Sequence, residues 1–508
     1  MMKKKKVLKF LRFFELKWYH YLLILRMNWE QMSQPAKKSK AEGYQGFKLS
    51  KSSKNEIETI NLDEPIVTKE WFFQNYIKPR KPVLIKYNAN SEKFRLKTEN
   101  FRPDTLIKTL GDEGDLLQVE ELSKGGFGSG HDRLKLSLGD FLGRIKNGES
   151  LYLTTQYEEN DPKIAENNTE EGEEDDDDHD DNDDDEGEGH GYAGFEKIDE
   201  NASDVDEFGD VDDFEDDYKD EFADELLGDD SNDINIIYQP PLTNLLDDKL
   251  ESLPPHATEI TESLVPQQIN LWCGRTPAET PQLEIGLNDA GSVKNVNNGL
   301  SQANATSTGL HHDHADNLYI LVQGKKRFTL FSPDFAYYLY TTGDVRDIYH
   351  TGVIDYVVNE KAKSWINVRA DGGCLDSKCE IGGDQKTEQS NGERQAPPSF
   401  CRIPPSLLHL NELDEPKRVA LEKYALECFP LFVPYKDQSI QITLEDGDLL
   451  YLPAGWFHEV TSYGDKTNDN IHVALNYWFV PPDGESVNSP YTDPIWEEDF
   501  RKWKDLYL

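Results

Sequence analysis

The sequence predicts a mainly β fold with flanking helices, a double-sheet jelly roll (double-stranded β-helix) interrupted by long disordered insertions. Three observations predict it. Seven short runs rich in Ile, Val, Tyr, Phe and Trp cluster in the second half, at 269–273, 318–322, 328–331, 440–444, 449–452, 456–460 and 472–480. Tight-turn residues such as Gln323-Gly324 and Asp446-Gly447-Asp448 bound them. The charge is also segregated: of a net −43 over 508 residues, segment 158–233 holds 38 acidic residues against Lys163, Lys197 and Lys219, hence −35. The other 432 residues carry −43 + 35 = −8 and read as an ordinary soluble chain. Several short strands with tight turns close into a sandwich or barrel, and a two-sheet jelly roll accommodates them.

Taken in order, residues 1–40 hold eleven Lys or Arg and two Glu interleaved with Leu, Phe, Trp and Tyr. Lys9, Arg12, Glu15 and Lys17 interrupt any membrane-spanning run of about 20 apolar residues. The segment is a disordered basic tail, sequence upstream of a start at Met27 or Met32, or a basic amphipathic or transit-type peptide. Residues 1–60 form this tail and a polar linker. From 62 to 88, Trp71, Phe72, Phe73, Tyr76 and Ile77 suggest a helix, broken at Arg80-Lys81-Pro82 before a strand at Val83, Leu84 and Ile85. A helix at 136–142 and a strand at 151–156 continue the same alternation. Gly125 to Gly130 lack the Lys and Ser/Thr of a phosphate loop and read as a flexible loop.

The acidic segment cannot bury enough apolar surface to offset its chain entropy, so it is expected to be a disordered insertion, either merely tolerated or docking basic partners. Two further polar insertions are expected at 279–306 and 360–398, since loop length costs stability only slowly. Five cysteines, an odd number, suggest a reducing compartment, cytoplasm or nucleus; Cys374 and Cys379 alone make a poor zinc site. The main domain spans 61–482. In 483–508, Ile495, Trp496, Phe500, Trp503 and Leu506 recur at helical spacing, for packing on the domain or for pairing two copies.

Chemistry concentrates in Thr308-Gly309-Leu310-His311-His312-Asp313-His314. Residues two apart on a strand share a face, so His311 and Asp313 deliver an imidazole and a carboxylate to one point. His458, after Pro453-Ala454-Gly455, offers a third ligand. Two His and one carboxylate leave half an octahedron open, the ligand set of non-haem Fe(II) oxygenases, whereas zinc favours closed tetrahedral sites. Lys326, after the 323–324 turn, is either a cation reaching into the barrel or a surface lysine. Asn317 and Asn476 are amides in apolar strands and need partners there.

Asn270-Leu271-Trp272-Cys273-Gly274, 308–319, 324–331, 447–460 and Leu475-Asn476-Tyr477-Trp478 together resemble the Jumonji-C family, closest to its small cupin-like lysyl and asparaginyl hydroxylases. The resemblance implies Fe(II) on His311, Asp313 and His458. It implies 2-oxoglutarate held through its far carboxylate by Lys326, Thr308 and Tyr152, with Asn317, Asn476 and Trp478 lining the pocket. The implied reaction hydroxylates a protein side chain, lysyl favoured, and releases succinate and CO2. Histone lysine demethylation and a non-catalytic acidic binder on the same scaffold are the alternatives. The implied partner is a protein substrate, basic in character, with a homodimer through the C-terminal helix as in relatives; the overall acidity disfavours nucleic acid.

Overall fold

A computed structural model describes residues 43–50, 55–112, 116–121, 133–154, 236–245, 253–276, 306–357, 397–464 and 466–507, with a few positions between 282 and 303. The tail, the glycine-rich loop, the acidic segment, Cys374, Cys379 and nearly all of 360–398 lie outside the described residues. The chain divides into a large unit, Met1–Tyr157, Ile236–Ser377 and Asp384–Arg501, and a smaller one, Glu158–Asn235, Lys378–Gly383 and Lys502–Leu508. The large unit holds both sheets and all of the candidate site residues.

Strands β1 (Glu58–Asn61), β2 (Val83–Lys86), β3 (Leu117–Glu121), β4 (Arg133–Leu136), β5 (Leu151–Leu153), β6 (Ile237–Tyr238) and β7 (Pro266–Arg275) supply seven of the ten strands of the major sheet. After the short β8 (Gln282–Leu283) and β9 (Gln302–Ala303), β10 (Thr306–Ser307) and β11 (His311–His312) open the minor sheet. From there, β12 (Asp316–Gln323), β13 (Lys325–Phe331), β16 (Ile440–Leu444), β17 (Leu449–Leu452), β18 (Phe457–Tyr463) and β19 (Ile471–Phe479) are distributed between the two sheets. A separate hairpin, β14 (Val345–Ile348) and β15 (Ile354–Tyr356), lies between β13 and β16 in sequence. The major sheet takes β12, β17 and β19; the minor takes β13, β16 and β18. Chain-adjacent strands that switch sheets are the jelly-roll topology the sequence predicts.

Alternation then sorts side chains into two cores. Leu318, Ile320, Val473, Leu475 and Tyr477 face outward under the N-terminal helices, while Tyr319, Leu321, Phe328, Leu330, Leu450 and Ala474 face the space between the sheets. Gly324, with φ +104°, joins β12 to β13, and a Cβ there would lie 2.7 Å from His472 Cβ.

Three expectations need correction. Part of the 1–60 linker is folded: Tyr44 and Leu49 are buried, and β1 adds a parallel strand beside β2. The helix expected over 62–88 shrinks to Lys69–Phe72, capped by Thr68 Oγ1 accepting from Trp71 N, and continues as a π turn, Phe73–Ile77. A 14-residue helix, Glu415–Cys428, follows the 360–398 insertion and was not expected. The C-terminal helix, Pro494–Tyr507, is present; Phe500 is buried with its ring 6.2 Å from Tyr491, and Ile495 is exposed. Among the described residues, no helix is long and apolar enough to cross a membrane.

Candidate active site

His311 and His458 are register partners on β11 and β18, so antiparallel pairing places two imidazoles side by side, ring centroids 4.4 Å apart. Asp313 follows β11 directly, and its Oδ2 lies 3.8 Å from His458 Nε2. One ligand atom from each of His311, Asp313 and His458 falls within 4.8 Å of the others. The rings are preset for ligation. His458 Nδ1 bonds the Trp456 carbonyl at 3.0 Å, and His311 Nδ1 bonds the Gly309 carbonyl at 3.1 Å. A carbonyl only accepts, so Nδ1 carries the proton and each Nε2 keeps its lone pair. Burial pulls His458 down to about 4, which keeps its ring neutral. Phe400 stacks on His311 with centroids 4.7 Å apart and fixes the ring plane.

The other candidate residues occupy inward positions of the strands that face the space between the two sheets. Lys326 is the inward residue of β13, 2 % exposed, and donates to Tyr152 Oη at 2.7 Å. Its Nζ also lies 5.3 Å from the centroid of the Tyr152 ring and 5.7 Å from that of Tyr319. Burial pulls the ammonium down to about 7. The strand expected to carry Tyr152 is β5, ending at Leu153, and its pairing with β7 sets Tyr152 against Gly274. A Cβ at Gly274 would lie 2.3 Å from the Tyr152 ring, so glycine leaves the ring its room.

Asn317 reaches Asp313 Oδ2 at 3.5 Å through Nδ2, while its Oδ1 is buried without a partner. Trp478, its register partner on β19, likewise has an unpartnered buried indole N–H. Asn476 is a satisfied amide: its Oδ1 accepts from Asn270 Nδ2 and Trp272 Nε1, both at 2.9 Å, and Gln268 donates to Asn270. Thr308 is half-buried, and its hydroxyl accepts from Val460 N and donates to the Gly309 carbonyl, tying β18 to the approach to β11.

Sequence reasoning assigned no role to Tyr319, whose buried hydroxyl has no partner, to His472, whose ring centroid is 5.4 Å from that of Tyr152, or to Gln268, Asn270 and Trp272. The signal was there: Gln268, Asn270, Trp272 and Gly274 occupy alternate positions of one strand, an inward polar face on β7.

These residues fit a divalent cation that tolerates N and O donors with open positions, beside an anion at Lys326. The donors form one face, Asn317 Nδ2 reaches the Asp313 carboxylate, and the buried Asn317 Oδ1 and Trp478 Nε1 are left without partners.

Residues 69–485 match the model of the Cupin-like domain. The chain is 24 % identical to JmjC domain-containing protein 4 of Schizosaccharomyces pombe, an alignment covering 86 % of this chain and 88 % of that one. Shorter alignments, each covering 34 % of this chain and 38 % of the relative, give 27 % identity with JmjC domain-containing protein E of Dictyostelium discoideum and with lysine-specific demethylase JMJ32 of Arabidopsis thaliana. A match over most of the domain, with the triad and the jelly roll that carries it, leads to one conclusion: the chain belongs to the cupin-like family, among its JmjC-domain members.

Proposed function

We propose that the protein is an Fe(II)- and 2-oxoglutarate-dependent oxygenase that hydroxylates a protein side chain, with lysine favoured. The observation that carries this reading is the pairing of two features on one face of the minor sheet: a His311, Asp313 and His458 donor face, and a buried Lys326 that no carboxylate accompanies among the described residues. His311, Asp313 and His458 would hold the metal; Lys326 and Tyr152 would hold the far carboxylate of the keto acid through charge-assisted hydrogen bonds. Asn317 and Trp478 offer polar atoms to the near end, Asn476 fixes the wall behind it, and Thr308 holds the strand edge.

Bound iron would supply the oxygen activation that converts 2-oxoglutarate and O2 into succinate and CO2, with the second oxygen atom delivered to the target C–H as an alcohol. The protein's part is placement. Backbone carbonyls orient both imidazoles, Lys326 sets how far the keto acid reaches, and the apolar residues between the sheets exclude water. A basic protein substrate suits the acidic balance of the chain, and segment 158–233 would dock it. A setting in the cytoplasm or nucleus, and a homodimer through Pro494–Tyr507, belong to the same reading.

Succinate formation from 2-oxoglutarate by the purified chain with Fe(II), against His458→Ala, tests the oxygenase. Equal background turnover in both, with candidate basic peptides present, favours an acidic binding protein instead. A second reading, lysine demethylation, is favoured by one observation: similar Arabidopsis proteins are named lysine-specific demethylases. Mass spectrometry separates them, since hydroxylation adds one oxygen to an unmodified lysine and demethylation removes a methyl group from a methylated one.

A further inference from the structure

Asp316 sits three residues beyond Asp313 at the start of β12 and is fully buried. Both oxygens are saturated. Arg80 donates to each through Nη1 and Nη2, Tyr451 Oη donates to Oδ2 at 2.6 Å, and the backbone N of Ala454 donates to Oδ1 at 3.0 Å. Arg80 is also buried, and its Nε donates to the Thr351 carbonyl at 2.8 Å.

The other end of Arg80 holds the same loop. Its carbonyl accepts from Trp456 Nε1 at 3.0 Å and from Tyr44 Oη at 3.4 Å. Its φ is +56°, a left-handed conformation that a residue with a Cβ adopts only where its surroundings over-determine it. The loop so held, Pro453 to Trp456, delivers His458. Its Gly455 N donates to the Asp313 carbonyl at 3.0 Å, and a Cβ at Gly455 would overlap the Gly352 carbonyl.

We propose that Arg80 and Asp316 form a clamp that sets the spacing of the two halves of the donor face: the segment carrying His311 and Asp313, and the loop that leads into β18 and His458. Neither side chain belongs to the donor set; both are positioning residues, Asp316 acting through its bond from Ala454 N and Arg80 through its carbonyl, which accepts from the Trp456 indole. The inference rests on the proposed metal centre. It assigns a function to a costly feature. A buried ion pair contributes little net stability over an apolar pair of similar volume, because both charges lose their water. As a positioning device, its fixed, directional geometry is what matters.

The test uses Co(II) as the probe, added to the purified full chain and followed by its visible d–d absorption, with near-UV circular dichroism and thermal unfolding in chelator reporting the fold. Three variants separate stability from positioning. Tyr451→Phe removes one hydrogen bond to Asp316 and keeps the ion pair. Arg80→Lys keeps the charge but loses the two-pronged contact. The double variant Arg80→Leu with Asp316→Leu replaces the pair by apolar groups.

The expected result is a graded loss of Co(II) affinity with an altered absorption band, a few-fold for Tyr451→Phe and about 10- to 100-fold for the others that fold, the range found for groups supporting metal ligands. Wild-type affinity and spectrum in a folded double variant, or in Tyr451→Phe should the others not fold, would overturn the clamp. His458→Ala is the separate control. If it binds Co(II) as tightly as the wild type, the metal reading itself falls and the clamp falls with it; if it loses Co(II) while the clamp variants do not, the clamp alone is wrong.

Discussion

Lys326 Nζ lies 2.7 Å from Tyr152 Oη across the barrel, joining residues 174 apart in sequence through a buried cation and a phenol. With two aromatic rings and one hydroxyl around it, the ammonium is poised for an incoming anion.

That environment fixes a pH dependence. Burial pulls Lys326 down to about 7, so its charge is present below that pH and lost above it. Tyr152, Tyr319 and His472 face it and Cys273 lies behind them on the outer face of β7; burial raises the two phenols and the thiol and lowers the imidazole, so all are neutral near pH 7. The apparent KM for 2-oxoglutarate is expected to rise above pH 7, by up to about tenfold per unit, with kcat nearly flat. Lys326→Arg, charged throughout, should flatten the slope. An unchanged slope in that variant would assign the titration to another group.

Gly274 gives a steric test of the same pocket. A Cβ there meets Tyr152 Cδ2 at 2.3 Å and His472 Cε1 at 3.2 Å, so Gly274→Ala must displace the phenol from Lys326. Overpacking of this kind costs about 1–3 kcal/mol. The variant should show a lowered melting temperature and a raised KM for 2-oxoglutarate. A wild-type KM alongside a lowered melting temperature would mean that Tyr152 is not a contact for the co-substrate.

Asn476 tests the wall. Its Oδ1 is the acceptor for both Asn270 Nδ2 and Trp272 Nε1, all inside the barrel. Asn476→Ala leaves the buried Asn270 amide and the half-buried Trp272 indole without their acceptor, at about 1–3 kcal/mol for the buried one. Chemical denaturation should register a loss of about 1–3 kcal/mol, with the Asn476→Ala, Asn270→Ala double variant recovering part of it. A loss below about 1 kcal/mol would show that the donors find other acceptors.

How much of this was legible depends on how each residue is brought to the site. His311 and Asp313 were legible because residues two apart share a face, whereas Lys326 read equally as an inward cation or a surface lysine until the pairing of β13 fixed its side. His458 was legible because a short proline-glycine turn precedes its strand. Tyr152 could be suggested only by family resemblance: its partner strand β7 begins 114 residues later, beyond the acidic segment, and no local pattern records that pairing. Arg80 and Asp316 are 236 residues apart and were invisible for the same reason. The helix Glu415–Cys428 was missed because it buries only Ala420, Leu421 and Ala425, too few for an apolar stripe, although Asp414 accepting from Lys417 N and Pro416 in its first turn are ordinary start signals.

The outward neighbour of His458 yields the last prediction. Glu459 is fully buried on the opposite face of β18, where its Oε1 accepts from Ser307 Oγ at 2.7 Å and Thr461 Oγ1 at 2.6 Å, and its Oε2 pairs with His409 Nε2 at 3.1 Å. Burial alone would raise its pKa; the bonds from His409, Thr461 and Ser307 outweigh that and hold the carboxyl down at about 2. In the unfolded chain a glutamate titrates near 4.3, roughly, so the folded state binds the proton more weakly. The stabilisation from Glu459 is therefore complete above that pH and is lost as pH falls toward 2. Glu459→Gln keeps the shape but removes the charge, and it should be less stable than the wild type at neutral pH, because the bonds from Ser307, Thr461 and His409 are no longer charge-assisted. The gap between the two, measured by urea denaturation at a series of pH values, should stay constant from pH 7 to about 5 and close between about 4.5 and 2. A gap that persists to the acid end would assign the loss to packing instead of charge, and would remove Glu459 from the groups that hold β18, and with it His458, in register.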